Sequence, residues 1–204
     1  MHANWSSNML GENISTGGVP RLEIDESKII GNQNKVYWMF GIIDRSNKDC
    51  RVFCVLDNRT RESLLPIIIK NVYTYNDLSQ YNTSRDIHKY SLSTRIYSDC
   101  WAAYSKEEFK NQGYILHRVN HTVWFGKGLF HTNTIEGLWS QIKRLNNNFS
   151  GLNFEIINQL ENKGISGIDY LNDWICWSLY LRICELKKYN KFNKIIELNK
   201  YLKY

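Results

Sequence analysis

The chain has 204 residues, 43% of them apolar, and sets 26 Lys and Arg against 20 Asp and Glu for a formal net charge of +6. That length suffices for one domain with a sizeable core, and the basic excess favours an anionic partner such as nucleic acid without establishing one. With no run of 18 apolar residues and a start, "MHANWSSNMLGEN", that lacks basic and apolar regions, neither a membrane span nor a secretory signal is expected, and the chain reads as intracellular.

Residues 1 to 20 are polar, end in "GGVP" and read as a loose leader. From Arg21, "RLEIDESK" alternates Leu22 and Ile24 inward against charged neighbours. "VYWMFGIIDR" (36 to 45) and "CRVFCVLD" (50 to 57) follow as β-rich runs joined by the turn signal "RSNKD", so a three-strand meander is the simplest arrangement. "TRESLLPIIIKNV" (60 to 72) predicts a helix with Ser63 as N-cap and Pro66 in its first turn; Leu64, Leu65, Ile68 and Ile69 would share one face. Residues 73 to 93 lack a period and read as an inserted surface loop. A short strand is expected over 94 to 99, a helix over 100 to 113 closed by Gly113, and another strand over 114 to 120. After a loop at 121 to 131, "TNTIEGLWSQIKRLNN" predicts a helix capped by Thr132 or Asn133. Residues 151 to 204 form a helical extension, with "DYLNDWICWSLYLRICELKKY" its amphipathic part. The five cysteines, Cys50, Cys54, Cys100, Cys176 and Cys184, show neither a CxxC pair nor a Cys/His zinc spacing. Cys50 and Cys54 are expected simply to pack on one face of their strand.

Three strands, a helix, a strand, a helix, a strand and a helix is the order of a ribonuclease H-like α/β fold, a mixed sheet flanked by helices, here spanning 21 to 150. The acids sharpen that reading. Asp25 falls on the first strand, Asp99 at the carboxyl end of the fourth, and Glu136 at the start of a later helix. Strand ends beside a topological switch are where open α/β sheets build sites. Two divalent cations in a phosphoryl-transfer site lie about 3.5 to 4 Å apart and need several hard oxygen ligands in one cleft. Each acid also has a plainer role: Asp25 or Glu26 facing solvent, Asp99 capping the following helix, Glu136 complementing its own helix dipole.

"GGVPRLEIDESK", "WMFGIIDR", "NRTRESLLPIIIKNV", "IYSDCWAAY", "GYILHRVNHTVWF" and "HTNTIEGLWSQIKR" resemble, in order, the catalytic domain of Merlin-type transposases and their bacterial insertion-sequence relatives, over residues 17 to 144. The resemblance implies an Asp, Asp, Glu triad that binds Mg²⁺ or Mn²⁺, as two ions, for cut-and-paste transposition. The matching positions are Asp25, Asp99 and Glu136, and the 36 residues between Asp99 and Glu136 (100 to 135) are the separation expected for that group. It further implies double-stranded DNA as partner, both terminal inverted repeats and target, with a homodimer on the DNA. The location would be the nucleus in a eukaryotic host and the cytoplasm otherwise.

Lys143 stands seven residues beyond Glu136, two helical turns on and therefore on the same face, where it is expected to hold a substrate phosphate. Arg144 and Lys127 would neutralise further phosphates, and His131, Asn133, Asn120 and His121 are expected to line the cleft. Departures from the family pattern are a short segment between Lys28 and Val36, a long loop at 73 to 93, and Trp177 where relatives often carry Arg. The amino-terminal DNA-binding region usual in relatives has no matching cysteine pattern here, so a truncated or domesticated copy is expected. Two other readings compete: a different nuclease of the same fold, and a non-catalytic DNA-binding relic.

Overall fold

A computed structural model describes residues 9–10, 19–56, 59–74, 93–99, 104–119, 130–148 and 152–186. The order is β1 (Arg21–Gly31), β2 (Val36–Asp44), β3 (Cys50–Leu56), α1 (Arg61–Asn71), β4 (Arg95–Asp99), α2 (Lys106–Asn111), β5 (Ile115–Val119), α3 (Asn133–Asn148), α4 (Phe154–Asn162) and α5 (Gly167–Leu186). The strands form one five-stranded mixed sheet in the order β3-β2-β1-β4-β5. β1 pairs antiparallel with β2, and β2 with β3, whereas β4 runs parallel to both β1 and β5. The chain is thus α/β with a meander extended by two parallel strands. Its described residues divide into two compact units at Gly137/Leu138, so that α3 contributes its first turn to the sheet unit and the rest to the helical unit.

Turn chemistry accounts for the meander. Between β1 and β2, Asn32 Oδ1 accepts from the backbone N–H of Asn34 at 2.8 Å and of Lys35 at 3.0 Å, closing a side-chain-braced turn. Gly31 is needed there because a Cβ would meet the Lys35 carbonyl oxygen at 2.6 Å. The "RSNKD" turn forms where expected: Asp44 Oδ1 accepts from Ser46 N–H at 2.7 Å, and Lys48 supplies the positive φ of 65°.

One sheet face carries Leu22, Ile24, Phe40, Ile42, Ile96 and Leu116 into a core closed by Leu64 and Ile68 of α1 and by Tyr104, Phe109 and Tyr114 around α2. The simple alternation expected of β1 fails, because Leu22, Glu23 and Ile24 are all completely buried. Both faces of a central strand are covered, so a charged neighbour need not face water. In α1 the N-cap is Thr60, not Ser63, whose hydroxyl donates to the Thr60 carbonyl at 2.9 Å. Pro66 consequently lies inside the helix rather than in its first turn. Leu64 and Ile68, four apart, are buried, whereas Ile69 turns outward at 37% exposure. The described part of the next helix is short, starting only at Lys106, and it closes at Gly113 with φ 84° as expected. Cys54 is buried and its thiol is pushed up to about 12 by that burial, consistent with a packing role.

In the helical unit, α4 is a separate helix within the region expected as one helical extension. Asn153 caps it, its side chain accepting from Glu155 N–H, and Gly164 with φ 79° follows its end. Within this unit Arg182 Nε donates to Gln141 Oε1 at 2.8 Å, joining α5 to α3. Among the described residues no helix is long and apolar enough to cross a membrane.

The contrast within α1 is testable by urea unfolding. Ile68→Ala should cost about 2–5 kcal/mol, as a fully buried aliphatic truncation does, and Ile69→Ala under about 1 kcal/mol.

Candidate acidic site at the switch point of the sheet

Side chains on one face of neighbouring strands form rows across the sheet. On the face opposite the α1 core, one row reads Ile43, Glu23, Tyr97 and His117 across β2, β1, β4 and β5. Two residues further along, Gly41 pairs with Asp25 and Asp99 pairs with Val119. The β1–β4 pairing ends at Glu23 and Tyr97, so Asp25 and Asp99 each lie two residues beyond the last paired row, on the same face. Gly41 contributes no side chain, so Asp25 has a bare position beside it on β2. The sheet also changes direction here: from β1 the chain turns to β2 on one side, while β4 lies on the other. Such a switch point is where α/β sheets leave a crevice beyond their strand ends.

The electrostatics agree with that proximity. Glu26, on the opposite face of β1, accepts a hydrogen bond from the Tyr104 hydroxyl. Its carboxyl is raised to about 7, first by burial, then by the negative charges of Asp25 and Asp99; the Tyr104 hydrogen bond and Arg59 pull the other way. Tyr104 is itself raised well above the usual phenol range, by burial first and then by Glu26, Asp25 and Asp99. Asp25 and Asp99 therefore project one shared negative field onto the strand between them and the core. Neither Asp25 nor Glu26 faces solvent freely; both are half-buried.

Glu23 is the residue the sequence reading passed over. Its side chain is fully buried, yet it carries two strong hydrogen bonds: Oε1 accepts from Arg45 Nε at 2.6 Å, and Oε2 accepts from the backbone N–H of Ile135 at 2.8 Å. The second bond satisfies one of the N–H groups that the start of a helix leaves without an internal partner. The other arm of the Arg45 guanidinium donates to the His131 carbonyl, and its centre lies 3.7 Å from the centroid of the Tyr97 ring. Tyr97 stacks on His117 at 4.9 Å. The His117 imidazole is pushed below the usual histidine range by burial, then by Arg95, Lys106 and Arg45. A signal for Glu23 was present in "EID": residues two apart on a strand share a face, so an acid two before Asp25 had to lie on the site side of the sheet.

Glu136 follows Ile135 in the first turn of α3. It is exposed, its N–H donates to the Thr132 carbonyl at 3.1 Å, and its Oε1 accepts from the Thr132 hydroxyl at 3.0 Å. Thr132 is buried and Asn133 exposed. His131 joins the Glu23 network, with Nδ1 3.4 Å from Glu23 Oε1. Lys143 is exposed, whereas Arg144 donates to Glu185 at 2.8 Å and so spends part of its charge within its own unit. Lys127, Asn120 and His121 lie outside the described residues, as do 75 to 92 of the expected insertion. Asp25 and Asp99 suit a hard divalent cation as paired carboxylate donors on adjacent strands. Among the described residues no group of three His, Cys, Asp or Glu side chains is gathered into a metal-binding arrangement. No family model and no curated protein matches the chain.

The shared field has a pH signature. Glu26 should titrate near 7 by carboxyl-carbon NMR, and Asp99→Asn should lower that midpoint, because it removes a neighbouring negative charge. A carboxyl raised on folding stabilises the protein fully below about 4.5, the ordinary glutamate value, and that contribution is lost as pH rises through about 7. A midpoint unmoved by Asp99→Asn would mean that Asp99 does not act on this strand.

Proposed function

We propose that the chain is a DNA transposase catalytic domain on a ribonuclease H-like fold, in which Asp25, Asp99 and Glu136 hold two divalent ions, Mg²⁺ or Mn²⁺. The observation that carries this reading is the placement of Asp25 and Asp99 on one face of the adjacent parallel strands β1 and β4, each two residues beyond the paired Glu23 and Tyr97 at the switch point. A meander followed by two parallel strands supports the fold assignment, and the ordered motif resemblance supports the transposase class. Glu136 would be the third ligand; the hydrogen bond from the Ile135 N–H to Glu23 supports this, because it sets the first turn of α3 against the strand that carries Asp25.

Bound there, the ions would lower the pKa of a water and neutralise charge on the phosphodiester and its leaving 3′ oxygen. The residues of the chain do the rest. Asp25 would supply oxygens from within β1 and Asp99 from the carboxyl end of β4, and Glu136 a carboxylate whose rotamer the Thr132 hydroxyl restrains. Lys143 and Lys127 hold backbone phosphates of double-stranded DNA, and Arg144 has a smaller share because Glu185 engages it. The 3′-OH freed at a transposon end then attacks target DNA in a second in-line displacement. No covalent enzyme intermediate is required.

Purified protein with Mg²⁺ or Mn²⁺ on a terminal-repeat duplex should both cleave and transfer strands. Asp25→Asn, Asp99→Asn and Glu136→Gln should each reduce cleavage to background with folding unchanged, since each removes a ligand charge at nearly constant size. Near-normal cleavage by any one variant would remove that residue from the triad. Cleavage without strand transfer would indicate a nuclease of another class, and binding alone a relic. Lys143→Ala should reduce the slope of log K against log salt by about one unit, the loss of one phosphate contact; an unchanged slope would make Lys143 an ordinary surface charge.

A further inference from the structure

We infer that Glu23 is a positioning residue for the acidic site: its carboxylate fixes the first turn of α3, and with it Glu136, against β1. The inference rests on Glu136 being a site ligand, as proposed above. Three observations carry it. Glu23 is 0% exposed, so its carboxylate has exchanged water for protein donors alone. Those donors come from elements that must keep a fixed relation for Asp25 and Glu136 to converge: the Ile135 N–H at 2.8 Å belongs to the residue before Glu136, and Arg45 Nε at 2.6 Å to the turn after β2. The same guanidinium reaches the His131 carbonyl just ahead of α3, so Glu23 and Arg45 grip the entry to the helix at two points, His131 before it and Ile135 within its first turn.

An apolar side chain of similar volume would fill this space at a lower desolvation cost than a buried ion pair does. A carboxylate instead adds direction, because two oxygens with two donors fix both the height and the rotation of the helix end. It also places negative charge where the helix dipole favours it. Glu23 stands two residues before Asp25 on the same strand face, so one short rigid stretch holds one ligand directly and the other through the helix it anchors. Ligand constellations tolerate misplacement of only about 0.5 Å, which is the accuracy such a clamp has to supply.

The test compares wild type, Glu23→Ala and Glu23→Gln. Glu23→Gln keeps an acceptor for the Ile135 N–H but loses the charge facing Arg45. Amide exchange by NMR should show Ile135 and Glu136 about tenfold or more faster in Glu23→Ala, the loss of one charge-assisted hydrogen bond read through local opening, with β2 and β3 amides unchanged. In Glu23→Gln the acceleration should be smaller. Single-turnover cleavage at saturating Mg²⁺ should fall about 10- to 100-fold in Glu23→Ala, the usual effect of removing a residue that orients a ligand. Glu23→Gln should recover part of that loss, and the DNA Kd should stay within about twofold in both, since neither variant removes a phosphate contact. If Glu23→Ala does not fold, Glu23→Gln decides: wild-type exchange at Ile135 together with wild-type cleavage overturns the inference. Faster exchange at Ile135 with cleavage unchanged also overturns it, leaving Glu23 a structural residue. A wild-type protein that never cleaves would instead sink the proposed function, and the exchange data would still decide whether Glu23 holds α3.

Discussion

Burying Glu23 takes its carboxylate out of water, a loss that only strong and well-aimed donors can offset. They arrive from two places far apart in the chain, Arg45 beyond β2 and the Ile135 N–H in α3. Once that demand is met, much of the sheet's acidic end follows. Arg45 must lie over Tyr97, because its fork has to reach both Glu23 and the His131 carbonyl. Tyr97 in turn sits in the row that continues to His117. The first turn of α3 cannot slide along β1 without abandoning a buried charge.

The stretch Glu23 to Glu26 places three carboxyls within four residues, in three environments. Glu23 is paired and fully enclosed. Asp25, two residues on, is half-buried on the same face. Glu26 points to the opposite face, where burial and the two aspartates raise it to about 7 while Tyr104 donates to it. One strand thus separates a buried ion-paired carboxylate, one candidate ligand and a neutralisable acid by nothing more than its two-residue alternation. Gly41 beside Asp25 leaves that carboxyl uncrowded from the β2 side.

The meander, its "RSNKD" turn and the Gly113 stop were legible because their signals are local: alternation, turn residues and a positive φ. Asp25 and Asp99 were legible as candidates, one on the first strand and the other at the carboxyl end of the fourth, although only the strand order shows that those two strands are neighbours. The fate of Glu23 was not, since its burial depends on what covers the second face of β1, and that cover comes from a helix more than a hundred residues later. Ser63 and Pro66 were misplaced for a similar reason. Thr60 takes the cap position without using its side chain, so capping propensity alone pointed one turn too late. The pairing of Arg144 with Glu185 likewise needs the packing of α3 on α5, which no spacing rule encodes.

Whether Asp25, Asp99 and Glu136 share a cation can be read directly, without DNA or turnover, by titrating the ¹⁵N-labelled protein with Mn²⁺ and following paramagnetic broadening. Selective loss of the amide signals of Asp25, Asp99 and Glu136, reversed by excess Mg²⁺ and abolished in Asp99→Asn, is the expected result. Broadening centred elsewhere, or broadening at Asp25 and Asp99 that leaves Glu136 sharp, would contradict a three-carboxylate site.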